Sequence, residues 1–124
     1  MDDTPARVLV VDDNDLIRNL VYLILTSGGY RTDVAAGYAD ARRLASTRRY
    51  HAYVVDIRLG DGTGTGLVDA LRPADPDVDG RCLLLSGWRG DQAPDGIPVL
   101  HKPFGAAELT AAVRALAVGG GPAC

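Results

Sequence analysis

A single α/β domain, with a parallel sheet covered by helices on both faces, is the fold class this sequence predicts. Three observations lead there. The chain has 124 residues, enough for one hydrophobic core and too few for two. Short, nearly continuous apolar runs alternate along it with segments of helical period. Its 47% hydrophobic and 23% charged residues are ordinary for a globular chain, which excludes a disordered tail, a collagen-like repeat and a disulfide scaffold.

The first run, Arg7 to Val11 (RVLVV), ends in Asp12-Asp13 and has the pattern of a strand buried on both faces. Ile17, Leu20, Val21, Ile24 and Leu25 then recur as one stripe of a helix that Gly28-Gly29 stops. Residues 31–35 (RTDVA) form a weaker second strand. A helix over 38–48 turns Ala41, Leu44 and Ala45 inward and Arg42, Arg43 and Arg48 to solvent. The third strand, Ala52 to Ile57 (AYVVDI), carries Asp56 near its carboxyl end.

A Gly-rich loop at 60–64 leads to a short helix with Leu67, Val68 and Leu71 inward, ended by Pro73 and Pro76, which open a polar loop. Cys82 to Leu85 (CLLL) is the fourth strand, followed by Ser86-Gly87, and the fifth runs roughly from Ile97 to Leu100 before His101-Lys102-Pro103-Phe104. The last helix, about 106–117, buries Leu109, Val113 and Leu116. Residues 1–5 read as a lead, 6–118 as the domain and 119–124 as a flexible Gly-rich tail. No internal repeat is present.

Charge and cysteine usage narrow the function. The net charge of −3 gives no global pull toward nucleic acid or an anionic membrane. No window approaches the ~18 uninterrupted apolar residues of a transmembrane span. The acidic start, Met1-Asp2-Asp3-Thr4-Pro5, lacks the basic and apolar segments of a secretory signal. Cys82 opens an apolar run and Cys124 is the last residue, which suits a reducing compartment, and the cytoplasm is the expected location. Twelve of the thirteen basic residues are Arg, the exception being Lys102.

In open parallel sheets, ligands bind beyond the carboxyl ends of the strands, where the strand order reverses. The polar residues expected there are Asp12 and Asp13, Asp56, Ser86 and Lys102. Three converging carboxylates raise one another's pKa unless a cation neutralises them. Mg²⁺ is the natural ion, because it needs only one or two carboxylates plus water and phosphate oxygens. A carboxylate can also attack phosphorus to give an aspartyl phosphate. The incoming phosphoryl group then needs a positive charge and donors, which Lys102 and Ser86 can supply. A Lys in a chain that otherwise uses Arg points to a compact charge rather than a planar fork.

Val8-Leu9-Val10-Val11-Asp12-Asp13-Asn14, Val54-Val55-Asp56-Ile57-Arg58-Leu59 followed by Gly64, Leu83-Leu84-Leu85-Ser86-Gly87 and Lys102-Pro103-Phe104 together resemble the receiver domain of two-component response regulators. The likeness covers about residues 6–118. It implies a CheY-like, flavodoxin-like, doubly wound (βα)5 domain whose five parallel strands lie in the order 2-1-3-4-5. It makes Asp56 the phosphoacceptor. Asp13, Asp56 and the backbone carbonyl of Arg58 would bind Mg²⁺ (or Mn²⁺), and Asp12 would hold metal-bound water. Ser86 would take a phosphoryl oxygen and move on activation, Lys102 would pair with the phosphate, and the bond before Pro103 would be cis.

Departures from the family matter as much. Val99 stands where receivers carry a switch aromatic. Gly60 replaces the proline common after the acceptor strand, which should loosen that loop. The link from Ser86 to Lys102 is short, with no amphipathic period, so the fourth helix is expected to be short or absent. That link resembles receivers attached to or paired with sensor kinases more than those driving DNA-binding domains. Arg58 and Trp88, two residues after the acceptor and the hydroxyl, are bulky at positions that tune phosphoryl lifetime in the family, and are expected to hinder the attacking water.

Each feature has a plainer reading. An Asp-Asp pair after a strand serves equally as a helix cap, with Asn14 or Asp15 capping the first helix. Ser86 alone is a turn residue. The glycines at 60, 62, 64 and 66 do not fit G-x-G-x-x-G, and the histidines share no zinc-ligand spacing with the cysteines. Arg42, Arg43, Arg48 and Arg49 form a solvated basic stripe. The expectation is therefore a receiver that takes a phosphoryl group on Asp56 from a sensor histidine kinase or histidine phosphotransfer protein. It turns over no separate substrate and, with no room for an output domain, signals to a downstream protein. It has no direct nucleic-acid or membrane partner, and is a monomer or weak homodimer. A phosphorylation-independent pseudo-receiver acting as a scaffold is the alternative. A phosphatase of the acyl-phosphate type usually wants a second Asp where Arg58 stands.

Overall fold

Val8 to Val11 are all fully buried, whichever way their side chains point, because their strand lies mid-sheet between two helical layers. The computed structural model describes residues 6–88, 93, 94 and 96–120. Its elements begin β1 (Arg7–Val11), α1 (Asp15–Ser27), β2 (Arg31–Ala35), α2 (Tyr38–Thr47) and β3 (Ala52–Asp56). A small hairpin follows, β4 (Arg58–Leu59) and β5 (Gly62–Thr63), then α3 (Gly64–Leu71) and a 3-10 turn at Val78–Arg81. The chain continues with β6 (Cys82–Ser86), β7 (Val99–His101) and α4 (Ala106–Gly120). The main sheet is parallel throughout, in the order β2-β1-β3-β6-β7. Since β6 and β7 are the fourth and fifth sheet strands, this is the expected flavodoxin-like 2-1-3-4-5 arrangement.

Strand alternation divides the core in two. Leu9, Val11, Tyr53, Val55 and Leu84 face α2 and α3, where they meet Ala41, Leu67, Val68 and Leu71. Val8, Val10, Val54, Leu83 and Leu85 face α1 and α4, where they meet Val21, Leu25, Leu109, Val113 and Leu116. Register brings the chemistry to one edge. Val11 pairs with Val55, so Asp12 falls beside Asp56; Asp56 pairs with Leu85, and Ser86 with His101, so Lys102 follows on the last strand.

Several expectations change. Leu20, expected inward, is 44% exposed and joins Leu16 and Leu23 on the outer side of α1, because the buried arc of that helix is narrow and closes on Val21 and Leu25. The fifth sheet strand begins at Val99, not Ile97. Pro98 has no N–H to give to the ladder, although its carbonyl accepts from the Leu84 N–H at 3.0 Å, and Ile97 is buried before the strand starts. Helix α4 runs to Gly120, into the segment expected as tail. Residues 1–5 and 121–124, assigned to lead and tail, lie outside the described residues, as do 89–92 and 95 of the short link. Among the described residues between β6 and β7 there is no helix.

The Gly-rich loop is the clearest correction. Read in the sequence as a loop without strand pairing, it is a hairpin in which Arg58 pairs with Thr63 and Leu59 with Gly62. At its tip Asp61 accepts hydrogen bonds from the backbone N–H groups of Tyr38 (2.7 Å) and Ala39 (3.1 Å), the first turn of α2. Gly37, at the N-cap of α2, has no side chain for the purpose, so the cap comes from another loop. These two bonds hold the exposed Asp61 carboxyl below the usual carboxylate range. A group with a lowered folded-state pKa adds stability above its ordinary pKa and loses it as pH falls through the lowered value. Asp61→Asn should therefore melt at a lower temperature than the native chain near neutral pH, and the gap should close on acidification below the ordinary carboxylate range, as thermal unfolding across a pH series would record.

Candidate functional site

The site is assembled from the ends of four strands, each delivering one kind of group. From β1 come Asp12, fully buried, and Asp13, exposed. The turn after β1 is held by local bonds: Asp12 Oδ1 accepts from the Asn14 N–H at 2.9 Å, and Asn14 Oδ1 caps α1 by accepting from Leu16 and Ile17. The capping role falls on Asn14, which leaves both Asp12 and Asp13 available to the site. Arg18 donates from one turn into α1 to the Asp12 carbonyl at 3.0 Å, fixing that backbone further.

Asp56, at the end of β3, is only 7% exposed. Its Oδ1 accepts from the Arg58 N–H at 2.9 Å and its Oδ2 from Lys102 Nζ at 2.6 Å. Lys102 Nζ also reaches Asp12 Oδ2 at 3.2 Å, so one ammonium joins two carboxylates. The Lys102–Pro103 bond is cis. Oxygens of Asp12, Asp13 and Asp56 all lie within 4.8 Å of one another. Such a set, oxygen-only, acidic and open at Asp13, can hold a small hard cation.

The electrostatics follow from that crowding. Burial, with the Asp56 charge beside it, raises the Asp12 pKa against the opposing pull of the Asn14 N–H and Lys102. Burial alone would lower the pKa of Lys102, but its hydrogen bond to Asp56 and the charges of Asp12 and Asp56 outweigh that and raise it. The ammonium therefore stays charged between its partners.

Ser86, fully buried at the end of β6, donates from Oγ to the Trp88 carbonyl at 2.6 Å, and Oγ lies 3.3 Å from the Trp88 N–H. Ser86, Gly87, Trp88, His101, Lys102 and Pro103 line a cleft of about 180 Å³ beside Lys102. Trp88 is 60% exposed, and the Arg58 guanidinium lies 4.9 Å from the centre of its ring. The two bulky residues singled out in the sequence thus touch each other, a contact that spans the ends of β3 and β6.

All of Asp12, Asp13, Asp56, Ser86, Lys102 and Arg58 are gathered at this edge. Sequence reasoning passed over two supports. One is Asp61, which caps α2 from the separate hairpin loop between β4 and β5. The other is the closeness of Gly64, whose N–H donates to the Ile57 carbonyl at 2.8 Å. A Cβ on Gly64 would overlap the Asp56 carbonyl oxygen and lie 3.1 Å from Ile57 Cα. Its φ is ordinary, so the need is for space. The fixed position of Gly64 after the acceptor motif was the available signal.

Comparison with known proteins agrees with this geometry. The family described as response regulator receiver domain matches residues 8–114. The chain is 36% identical over 118 residues to the transcriptional regulatory protein PrrA of Mycobacterium tuberculosis, covering 91% of this chain and 50% of that protein. It is 32% identical over 117 residues to the photosynthetic apparatus regulatory protein RegA of Rhodovulum sulfidophilum, covering 90% and 62%. The chain thus spans about half to three-fifths of the length of these curated relatives, which are named as regulators rather than kinases. Among solved structures it is similar to the response regulator protein TrrA of Thermotoga maritima in complex with Mg²⁺-BeF (TM-score 0.79, 27% identity, 90% of this chain and 98% of that one). It is likewise similar to the chemotaxis response regulator CheY4 of Vibrio cholerae (TM-score 0.80, 27% identity, 91% and 99%).

The crowding at Gly64 gives a measurable expectation. Gly64→Ala must push backbone against backbone behind Asp56, and should cost about 1–3 kcal/mol of stability in urea unfolding, the usual range for overpacking a rigid site.

Proposed function

The chain belongs to the response regulator receiver domain family, and from that premise we propose that it accepts a phosphoryl group on Asp56, in a Mg²⁺-dependent reaction, from a sensor histidine kinase or histidine phosphotransfer protein. The observation that carries this reading is the pairing of a nearly buried carboxylate, Asp56, with Lys102 at 2.6 Å inside a cluster of three aspartates. A buried acid used only for structure has no need of two further carboxylates beside it. An acceptor that works with a cation does.

In the proposed step an Asp56 carboxylate oxygen attacks the phosphorus of a phosphohistidine. A P–O bond forms as the donor's P–N bond breaks, and the imidazole leaves with the bonding electron pair and takes up a proton. The hydrogen bond from the Arg58 N–H orients the carboxylate before attack. Lys102, already at the acceptor oxygen, would turn its ammonium to the phosphoryl oxygens as they arrive, and Ser86 would offer its hydroxyl to another of them. Asp12, Asp13, Asp56 and the Arg58 carbonyl would hold Mg²⁺, whose charge, when it is bound, would offset that of the carboxylates and of the transferred group. Hydrolysis reverses the bond: water attacks phosphorus, the P–O bond to Asp56 breaks, and inorganic phosphate leaves. The chain thus changes its own covalent state and turns over no separate substrate.

Signalling would pass by protein contacts in the cytoplasm to a downstream partner. No helix among the described residues is long and apolar enough to cross a membrane. With no helix between β6 and β7 among the described residues and Val99 in place of an aromatic, the surface that carries the signal would be a reshaped one.

Incubation with Mg²⁺ and acetyl phosphate should add one phosphoryl group by intact mass, with no gain for Asp56→Asn or when Mg²⁺ is chelated. Equal labelling of Asp56→Asn would move the acceptor elsewhere. No labelling of the native chain by acetyl phosphate or by a phosphorylated histidine donor would favour a phosphorylation-independent scaffold.

A further inference from the structure

Both ends of the Arg58–Trp88 contact are tied to groups that would touch a phosphoryl group on Asp56. The Arg58 N–H donates to Asp56 Oδ1 at 2.9 Å. The Trp88 carbonyl accepts from Ser86 Oγ at 2.6 Å, and the Trp88 N–H lies 3.3 Å from the same oxygen. The guanidinium and ring meet at 4.9 Å between these anchors. Val99, in contrast, packs against the sheet core and carries no group that could report on Ser86.

We propose that Trp88 is the switch residue of this receiver: engagement of the Ser86 hydroxyl by a phosphoryl oxygen releases the Trp88 carbonyl and frees the Trp88 ring from Arg58. This rests on the receiver reading. The reason is hydrogen-bond arithmetic. A serine hydroxyl carries one hydrogen. Given to the Trp88 carbonyl, it is withheld from a phosphoryl oxygen; given to the phosphoryl oxygen, it leaves the carbonyl to water. The two states are exclusive, so the bond is a binary coupling between the site and residue 88. Once Ser86 turns away, the hydrogen bond that ties residue 88 to the site is lost, and the exposed cation–π contact with Arg58 is a weak restraint by comparison. The ring is already 60% exposed at the mouth of the site, so its release changes the surface shown to a partner without disturbing the core. A loop device of this kind needs neither an aromatic on β7 nor a helix after β6.

Trp88 is the only tryptophan, so its fluorescence reports the event directly. The full chain would be titrated with beryllofluoride in the presence of Mg²⁺, with ¹⁹F NMR recording bound beryllofluoride separately in each variant. The native chain should show a shift of emission to longer wavelength and greater quenching by acrylamide on binding. Ser86→Ala should bind the probe yet lose the shift. Arg58→Gln, which keeps the backbone carbonyl and N–H, should emit at the longer wavelength with Mg²⁺ alone and shift little further. Bound probe with unchanged emission in the native chain, or an undiminished shift in Ser86→Ala, would overturn the proposal. Should Ser86→Ala take up no probe, Arg58→Gln decides: a shift as large as the native one overturns it. Absence of bound ¹⁹F signal in the native chain would overturn the receiver reading, and this switch with it.

Discussion

Negative charge gathered at the carboxyl ends of β1 and β3, and answered by one ammonium, is the constraint on which the rest of this molecule depends. Asp12 and Asp56 are buried in a place where two carboxylates would repel each other and lose hydration. Lys102 offsets this from the far end of β7, at 3.2 and 2.6 Å. A fold that holds these three groups in contact must bring the ends of its first, third and fifth sheet strands to one edge. The parallel order β2-β1-β3-β6-β7 does so, with β6 set between β3 and β7. Pairing of Ser86 with His101 and the bond from the Lys102 N–H to the Ser86 carbonyl at 2.7 Å set how far the ammonium reaches.

The supports around this edge serve a single purpose, which is to keep irregular backbone from wandering. Asn14 satisfies the first N–H groups of α1, so Asp12 and Asp13 need not. Asp61 satisfies those of α2 and thereby ties the hairpin after Asp56 to a helix on the neighbouring strand. Gly64 lets α3 start directly against the Asp56 carbonyl. Away from the site, the opposite end of the sheet is closed by tyrosine–carboxylate–arginine groups. Tyr50 donates to Asp33 at 2.7 Å beside Arg7 and Arg48, and Tyr53 to Asp75, which pairs with Arg81. At this second edge both phenols are pushed well above their ordinary pKa by burial and by the acids they face.

The sequence made most of this legible, and it is instructive which parts it did not. Strands and helices were readable because burial on both faces and burial on one face leave different periods, as in Val8 to Val11 and in Leu109, Val113 and Leu116. The candidate site was readable because acidic, hydroxyl and ammonium groups stood at the ends of apolar runs. Leu20 was misplaced because period tells which residues share a helix face but not how wide an arc the neighbours cover. The hairpin at 58–63 was missed because glycine content signals a turn without saying whether the flanking residues pair.

What the sequence determined by itself is the inventory: one α/β domain, three aspartates and one lysine at strand ends, a hydroxyl between them, and no aromatic at 99. These follow from residue type and from periods measured along the chain. Only the tertiary structure decided the pairings between distant segments: Asp61 on α2 and Arg58 against Trp88. Such contacts join segments with no common period, brought together by the register of strands elsewhere. Their geometry exists only after the sheet has formed, so no local pattern could have announced them.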